Sequence, residues 1–301
     1  MLVPPPDGFQ SSSWFAEFDS SLRIKRLDRI DDSAVGIDRQ AWNRLEDCRL
    51  FRWKDAWWFT ATWVLQEQPH VCQVALCRLE GSKVVEWHLL PSPEGSQMEK
   101  NWMPQVDGDT LRWIHWIDPM QVLTFGGGGL SCKRLGRYGR LEKWAGSSQL
   151  VRYRDGWLCV IHFRYNWRGE IFYAHRCVEL TDDLQLRRMS PSFVFETEGV
   201  EFCAGLYLTD THMVLSYGVW DREARLIRLE LSVLDAMLRP LYVPRWVSVL
   251  IADVRRVMRP WLRQPRKKSS EVFRRLGGFG VLAPSLGDLV ASVAQCANFA
   301  M

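Results

Sequence analysis

Two adjacent acids, Glu46 and Asp47, stand at the start of an apolar stretch and are followed two positions later by Arg49. A carboxylic acid in a cleft can deliver a proton to a leaving oxygen, and a carboxylate can stabilise the cationic sugar ring that forms as a glycosidic bond breaks. On an extended segment neighbouring side chains point to opposite sides, so only one of the two acids can face such a cleft. Two roles are open for Arg49: its planar guanidinium could hold a phosphate or sugar oxygen, or it could pair structurally with Asp47.

Similar polar clusters recur at residues 99–102, 146–149 and 199–202, again just ahead of apolar stretches. In the first of these, Lys100 and Asn101 present a cation and an amide that suit a phosphate or a sugar hydroxyl. The same residue types are also common in solvated loops, so this cluster taken alone does not decide between a binding site and a surface turn. The regular recurrence of the clusters is the informative feature.

Further polar residues stand inside or after apolar stretches. His175 and Arg176 fall within one such stretch, where strand alternation turns their side chains to opposite faces. His175 is equally compatible with a histidine that is satisfied in the core. Glu201 and Asp221 could bind sugar hydroxyls or complete a ring of carboxylates, although an aspartate after a strand is commonly a turn former.

The elements that must position these residues are strands. From about residue 12 to 231 the apolar residues form short runs, many with period-two alternation, each closed by Gly, Asp, Pro or Ser. Consecutive runs group into four antiparallel meanders of about 50 residues, a spacing typical of β-propeller blades. The residues ahead of each innermost strand meet at one end of the central channel, so the polar clusters are predicted to share one site. Only two short runs precede Glu46, which predicts an incomplete first blade.

At these clusters the chain resembles bacterial five-bladed β-propellers related to the β-mannoside phosphorylases and β-mannosyltransferases, which are often found beside or fused to glycosyltransferases. The resemblance covers about residues 12–231 in consistent order. It rests on Leu45-Glu46-Asp47-Cys48-Arg49-Leu50-Phe51, Glu99-Lys100-Asn101-Trp102-Met103-Pro104, Ser147-Ser148-Gln149, His175-Arg176, Gly199-Val200-Glu201-Phe202-Cys203-Ala204-Gly205 and Ser216-Tyr217-Gly218-Val219-Trp220-Asp221-Arg222-Glu223.

The resemblance implies a catalytic role for Asp47 as proton donor, although this chain has Cys48 where the phosphorylases' Glu-Asp-Pro-Arg motif has proline. It also implies a set of substrate-binding residues. These are Glu46, Arg49, Lys100, Asn101, Gln149, His175, Arg176, Glu201 and Asp221. The related enzymes draw sugar-binding residues from their first blade, and no equivalent is found here.

The C-terminal part of the chain differs in charge and period. Between Arg239 and Arg275 there are eleven Lys or Arg against two acids, which leaves the rest of the chain mildly acidic. From residue 232 the apolar period lengthens towards 3.6, which predicts an amphipathic helix with a basic face that starts at Pro244 and is perturbed at its end by Pro260. Such a helix suits an anionic membrane surface, and it equally suits packing against the propeller or a partner with a solvated arginine face. We expect a propeller domain at 1–231 and a basic helical region at 232–301.

Composition narrows the function classes. The chain of 301 residues is 47% hydrophobic and 25% charged, which excludes a disordered or collagen-like chain, and no apolar run is long enough for a membrane-spanning helix. The eight cysteines never form a C-x-x-C pair, so no zinc site, other metal or cofactor is expected. The Pro-rich start lacks a cleavable apolar segment, which predicts a reducing, cytoplasmic location, with peripheral association with the inner membrane left open.

Together these patterns predict an all-β, five-bladed propeller that performs glycosyl transfer or phosphorolysis on a mannoside-like glycan. The expected ligand is a glycan or sugar phosphate, in the setting of surface-polysaccharide assembly and with a glycosyltransferase as partner. The alternative is a non-catalytic glycan-binding or scaffold propeller. Nucleic acid is not an expected partner, because no base-stacking or groove-reading motif accompanies the basic segment.

Overall fold

A computed structural model of the chain describes residues 12–35, 44–64, 71–126, 129–139 and 141–240, together with the backbone of a strand at 289–293. The predicted amphipathic helix lies outside the described residues. In the described part of the chain, no helix combines the length and hydropathy that crossing a bilayer requires. Almost all of the regular structure is β, as the alternating apolar runs predict.

The strands form five antiparallel sheets, numbered here in chain order. Sheet 1 contains the hairpin β1 (Trp14–Phe18) and β2 (Ile24–Arg29), after which a short 3-10 helix covers Ser33–Val35. Sheet 2 contains β3 (Arg44–Trp53), β4 (Ala56–Val64), β5 (Cys72–Glu80) and β6 (Lys83–Leu90). Sheet 3 contains β7 (Met103–Asp107), β8 (Thr110–Ile117), β9 (Met120–Gly126) and β10 (Gly129–Gly136).

The chain then builds two more sheets. Sheet 4 contains β11 (Ala145–Gly146), β12 (Val151–Tyr153), β13 (Gly156–Trp167), β14 (Glu170–Thr181) and β15 (Leu186–Met189). Sheet 5 contains β16 (Glu201–Leu208), β17 (His212–Val219) and β18 (Glu223–Glu230). Helix α1 (Leu231–Met237) and β19 (Arg239–Pro240) follow, and β19 returns to pair with β15 in sheet 4. The last described strand is β20 (Leu289–Val293).

The first strands of successive sheets adjoin one another around a centre. Strand β3 contacts β7 and β16, and β12 also contacts β16. The backbone N–H of Leu150, just ahead of β12, donates to the carbonyl oxygen of Pro104 in β7 at 2.8 Å, which joins sheets 3 and 4. This arrangement confirms the predicted all-β propeller and its four consecutive meanders, while the count of five blades stays a prediction.

Sheet 1 differs from what the sequence predicts. We expected a first blade without its inner strand. Strand β1 pairs with β2 on one side and with β20 on the other, in a register that places Trp14 opposite Val293. Strand β20 also contacts β3 and β16, so the innermost position of sheet 1 is occupied by a segment from the far end of the chain.

The propeller packing continues beyond the predicted boundary at residue 231. Leu234 of α1 and Leu238 are buried in the apolar cluster that also contains Leu158 of sheet 4 and Leu215 of sheet 5. The segment 232–240 is therefore part of the folded body, and the division of the chain into two domains stays a prediction.

Tryptophans account for much of the core. Trp102, Trp113 and Trp157 are fully buried between the sheets, where large flat rings fill the space left by diverging strands. Three others in the described residues are largely exposed: Trp116, Trp167 and Trp220. The chain has 16 tryptophans among its 301 residues, and those in the core pack the sheets together while a few rings lie at the surface.

Candidate functional site

Asp47 lies at an irregular point of strand β3. The pairing of β3 with β4 shifts register between Glu46 and Arg49, so one extra residue is accommodated there, and Asp47 takes a left-handed backbone with φ of 54°. Because a bulge interrupts strand alternation, the expectation that Glu46 and Asp47 must face opposite sides does not apply across it. Both acids are half-buried.

The Asp47 carboxyl is the electrostatic centre of the site. Burial raises its pKa to about 6, and the negative charges of Glu46 and Asp221 act in the same direction. The positive charges of Arg49 and Lys100 oppose the rise in this pKa. Residues from β3, from the segment ahead of β7 and from the β17–β18 turn therefore act on one carboxyl, as expected for blade starts that meet at one mouth.

Arg49 ties three sheets together from the interior. Its side chain is 1% exposed, with Nε donating to the Ser147 carbonyl oxygen at 2.5 Å and Nη1 to the Asp47 carbonyl oxygen at 2.7 Å. Nη2 donates to Oδ1 of half-buried Asn101 at 3.4 Å, and the guanidinium lies 5.5 Å from the ring centroid of Phe202. Arg49 and Asn101 thus hold the segments around the site in place. Arg49 bonds the backbone carbonyl oxygen of Asp47.

Three residues that the sequence interpretation missed complete the surroundings of Asp47. Tyr173 is half-buried and its pKa is raised, first by burial, with Asp47 and Asp221 adding to the rise. Arg164, its cross-strand partner, donates a hydrogen bond to the Tyr173 oxygen and opposes that rise. Below them, burial lowers the pKa of His162 strongly, and the charges of Arg49 and Lys100 act in the same direction.

The register of sheet 4 shows what signal could have found these residues. Positions 173 and 175 share one face of β14, and their partners across the strand pair are Arg164 and His162. A strand that was singled out for His175 therefore also identifies Tyr173 two residues earlier. Exposure then distinguishes them, because Tyr173 is half-buried and His175 is fully buried.

His175 and Arg176 occupy opposite faces, as predicted, and both lie in packed surroundings. The His175 ring is 4.8 Å from that of Phe195, and burial lowers its pKa to about 3, so this histidine is neutral. Arg176 donates to the Ser190 carbonyl oxygen at 3.2 Å and lies 4.9 Å from the Trp144 ring centroid.

Gln149 and Glu201 bind backbone groups of neighbouring segments. The Gln149 side-chain amide forms two hydrogen bonds with the Leu206 backbone. It donates to the carbonyl oxygen at 2.8 Å and accepts from the backbone N–H at 3.1 Å. The Glu201 carboxylate is 1% exposed and accepts three backbone N–H groups, from Phe195 at 2.6 Å, Glu196 at 2.9 Å and Thr197 at 3.0 Å. These geometries assign Gln149 to the junction of sheets 4 and 5 and Glu201 to the loop ahead of β16.

We expect Glu201→Gln to lower the free energy of unfolding by about 1–3 kcal/mol, because an amide has one acceptor oxygen and leaves at least one buried N–H unpaired. Chemical denaturation would measure the change. Glu170→Gln is the matched control, since Glu170 is exposed at the tip of the β13–β14 hairpin. Equal stability of the two variants would contradict the structural role of Glu201.

Among the described residues, no group of three or more His, Cys, Asp or Glu side chains is placed to hold a metal ion. The seven cysteines in this part of the chain are free thiols, and six of them are buried. Cys132 is exposed, and Cys296 lies outside the described residues.

Comparisons with known proteins find similarity in solved structures alone. No protein-family model matches the chain, and no curated protein matches it. A β-1,2-mannobiose phosphorylase from Listeria innocua is 11% identical, with a TM-score of 0.49 over 78% of this chain and 85% of that chain. A glycosyl hydrolase from Bacteroides ovatus is 12% identical, with a TM-score of 0.48 over 78% and 87%. An exo-1,5-α-L-arabinanase from a bovine ruminal metagenomic library is 10% identical, with a TM-score of 0.41 over 73% and 89%.

Proposed function

We propose that this protein acts on a mannoside-like glycan, with Asp47 as the acid that protonates the leaving oxygen when the glycosidic bond breaks. The observation that carries the proposal is the Asp47 carboxyl, whose pKa is raised to about 6 by burial and which four charged side chains surround. An acid with a pKa near the working pH holds a proton and can release it, which is the requirement for general acid catalysis. The motif resemblance at residues 45–51 supports the same assignment.

In the proposed reaction the Asp47 proton moves to the glycosidic oxygen as the bond from that oxygen to the anomeric carbon breaks. Positive charge develops on the sugar ring and is stabilised by the carboxylates of Glu46 and Asp221. In phosphorolysis the attacking group is a phosphate oxygen, held by the exposed ammonium of Lys100. In glycosyl transfer the attacking group is a hydroxyl of an acceptor sugar.

The test is whether the full chain binds and cleaves β-1,2-mannobiose with and without inorganic phosphate. Calorimetry would measure binding, and detection of mannose or mannose 1-phosphate would measure turnover. We expect binding and phosphate-dependent cleavage. Binding without turnover under either condition would favour the alternative of a glycan-binding propeller, and absence of binding would overturn the proposal.

The wider setting is part of the proposal. We infer a role in surface-polysaccharide assembly, in the cytoplasm beside a glycosyltransferase, with residues 239–275 as the contact with an anionic inner-membrane surface. Arg239 lies exposed in β19, and residues 241–275 lie outside the described residues. Retention of the full chain by vesicles containing anionic lipid, weakened by salt, is the expected result.

A further inference from the structure

Trp220 is an exposed aromatic residue held in an unusual backbone conformation. It lies at the tip of the β17–β18 hairpin, directly before Asp221, and is 52% exposed. Trp220 and Asp221 have φ values of 54° and 52°, in the left-handed region that bulky side chains rarely adopt. The two residues form the tight turn of the hairpin, in which the Arg222 N–H donates to the Val219 carbonyl oxygen at 3.1 Å.

The backbone of the preceding loop holds the Trp220 indole in place. Its ring lies against Gly199, where an added Cβ would be 2.4 Å from Cζ2 of the ring, far inside contact distance. The backbone N–H of Trp220 also donates to the carbonyl oxygen of Val200 at 2.8 Å. One part of the ring is therefore supported by Gly199, where any side chain would displace the indole, while about half of Trp220 faces solvent.

Trp220 adjoins the residues that surround Asp47. The Gly199 carbonyl oxygen accepts a hydrogen bond from the N–H of Tyr173 at 2.9 Å, which places the support of the indole directly beside Tyr173. The charge of Asp221 acts on both Tyr173 and Asp47. Gly199 thus contacts both Tyr173 and the indole, and the charge of Asp221, the residue after Trp220, reaches the proposed acid.

The other exposed tryptophans lack this setting. The guanidinium of Arg168 lies 5.8 Å from the ring centroid of Trp167, and the Trp116 ring is 5.1 Å from that of His115. Neither ring has a described contact with the surroundings of Asp47. Trp220 is the exposed ring in the described residues that adjoins the candidate site.

We propose that Trp220 is the stacking platform of a second sugar subsite beside Asp47. A pyranose presents C–H groups on one face, and these pack well on an aromatic face, while its hydroxyls are met at the rim by the Asp221 carboxylate and the Arg164 guanidinium. The occupant is a neutral hexose unit linked to the unit whose glycosidic oxygen Asp47 protonates. This inference rests on the proposed function and names the part of the glycan that the site selects: a disaccharide or longer chain rather than a monosaccharide.

Trp220→Gly separates this role from a structural one. Glycine accepts a left-handed backbone without strain, so the variant is expected to be as stable as the wild type or more so. Its affinity for β-1,2-mannobiose should fall by about tenfold, equivalent to about 1.4 kcal/mol, while its weaker affinity for mannose stays unchanged. Calorimetric titration with both sugars and thermal unfolding of both proteins measure these effects.

Two further variants complete the test. Gly199→Ala keeps the indole but displaces it, and should weaken mannobiose binding in the same way, whereas Trp116→Ala should leave binding unchanged. If the wild type and Trp220→Gly bind mannobiose with equal affinity, the subsite is overturned and the proposed function is left intact. Equal loss of mannose and mannobiose binding together with lower stability would show a structural role and would also overturn the subsite. Absence of wild-type binding would overturn both proposals.

Discussion

Asp47→Asn is expected to lower cleavage of β-1,2-mannobiose by about 10²- to 10⁴-fold, the range that general acid catalysis typically contributes. Asparagine keeps the shape of the side chain and cannot release a proton. Mannobiose binding should stay within a few-fold of the wild type, because the amide can still form hydrogen bonds. Initial rates and calorimetric binding of the two proteins measure the effect.

The pH dependence provides an independent readout. A general acid works while it is protonated, so the wild-type rate should fall as pH rises through about 6, the pKa of Asp47. Because Lys100 lowers this pKa and Asp221 raises it, Lys100→Met should move the fall to higher pH and Asp221→Asn should move it to lower pH. The residual rate of Asp47→Asn should lack this fall.

Asp47→Asn should change stability and activity in opposite directions. The raised pKa means that the folded protein disfavours the ionised Asp47 carboxyl, so stability is lost as pH rises from the ordinary value of 3.8 to about 6, and the full loss persists at higher pH. Asp47→Asn should therefore raise the thermal midpoint at pH 8 and leave it near the wild-type value at pH 3. Asp210→Asn, at an exposed turn, is the control that should change neither rate nor midpoint. An unchanged rate in Asp47→Asn would remove this residue from the acid role.

Arg49→Met is expected to lower the free energy of unfolding by about 2–4 kcal/mol, among the larger effects of any single substitution in this chain. The side chain is 1% exposed, and its removal leaves the carbonyl oxygens of Ser147 and Asp47 buried without a donor. Arg49→Met also removes a buried positive charge, which the interior disfavours, since burial lowers the pKa of this guanidinium. This gain offsets part of the loss of hydrogen bonds. Denaturant unfolding followed by circular dichroism measures the change.

Arg52→Met is the matched control for Arg49. Arg52 lies three residues further along the same strand, is exposed, and donates to the Asp55 carbonyl oxygen at 3.1 Å. Its replacement should cost less than about 1 kcal/mol. If the two variants unfold at the same denaturant concentration, Arg49 does not hold the sheets together.

Arg49→Met should have a second effect. Because the positive charge of Arg49 lowers the pKa of Asp47, removing that charge should raise this pKa.

The strands and their grouping were predictable because their signals are local. Alternating apolar residues and turn formers act within a few positions, as in the turn between β3 and β4, where Lys54 and Asp55 adopt left-handed φ values of 48° and 58°. Repetition of that pattern indicates a propeller, and propeller geometry brings blade starts together. The effect of Lys100 and Asp221 on Asp47 follows from this reasoning, without knowledge of individual contacts.

The roles of similar polar residues depended on what packs against them. Arg49, Gln149 and Glu201 stand at blade starts in the same pattern as Lys100, yet each bonds backbone groups of another segment. Because a buried polar group must find a partner, its role is set by whichever carbonyl or N–H the neighbouring sheet brings to it. That neighbour is about 100 residues away in the chain for Arg49 and Ser147, and no local pattern identifies it.

Sequence by itself determined an all-β propeller whose blade starts converge, with Asp47 among the converging residues, since both depend on local periodicity and its repetition. Tertiary structure alone decided that β20 completes the sheet begun by β1, that the charge of Asp47 acts on Tyr173, and that the Trp220 ring lies against Gly199, which bonds Tyr173. The physical reason is that strand pairing and side-chain contact are satisfied across space. A strand edge or a buried carbonyl can pair with a group at any distance along the chain. The alternation that defines each strand therefore does not predict which strand or ring will pack against that strand.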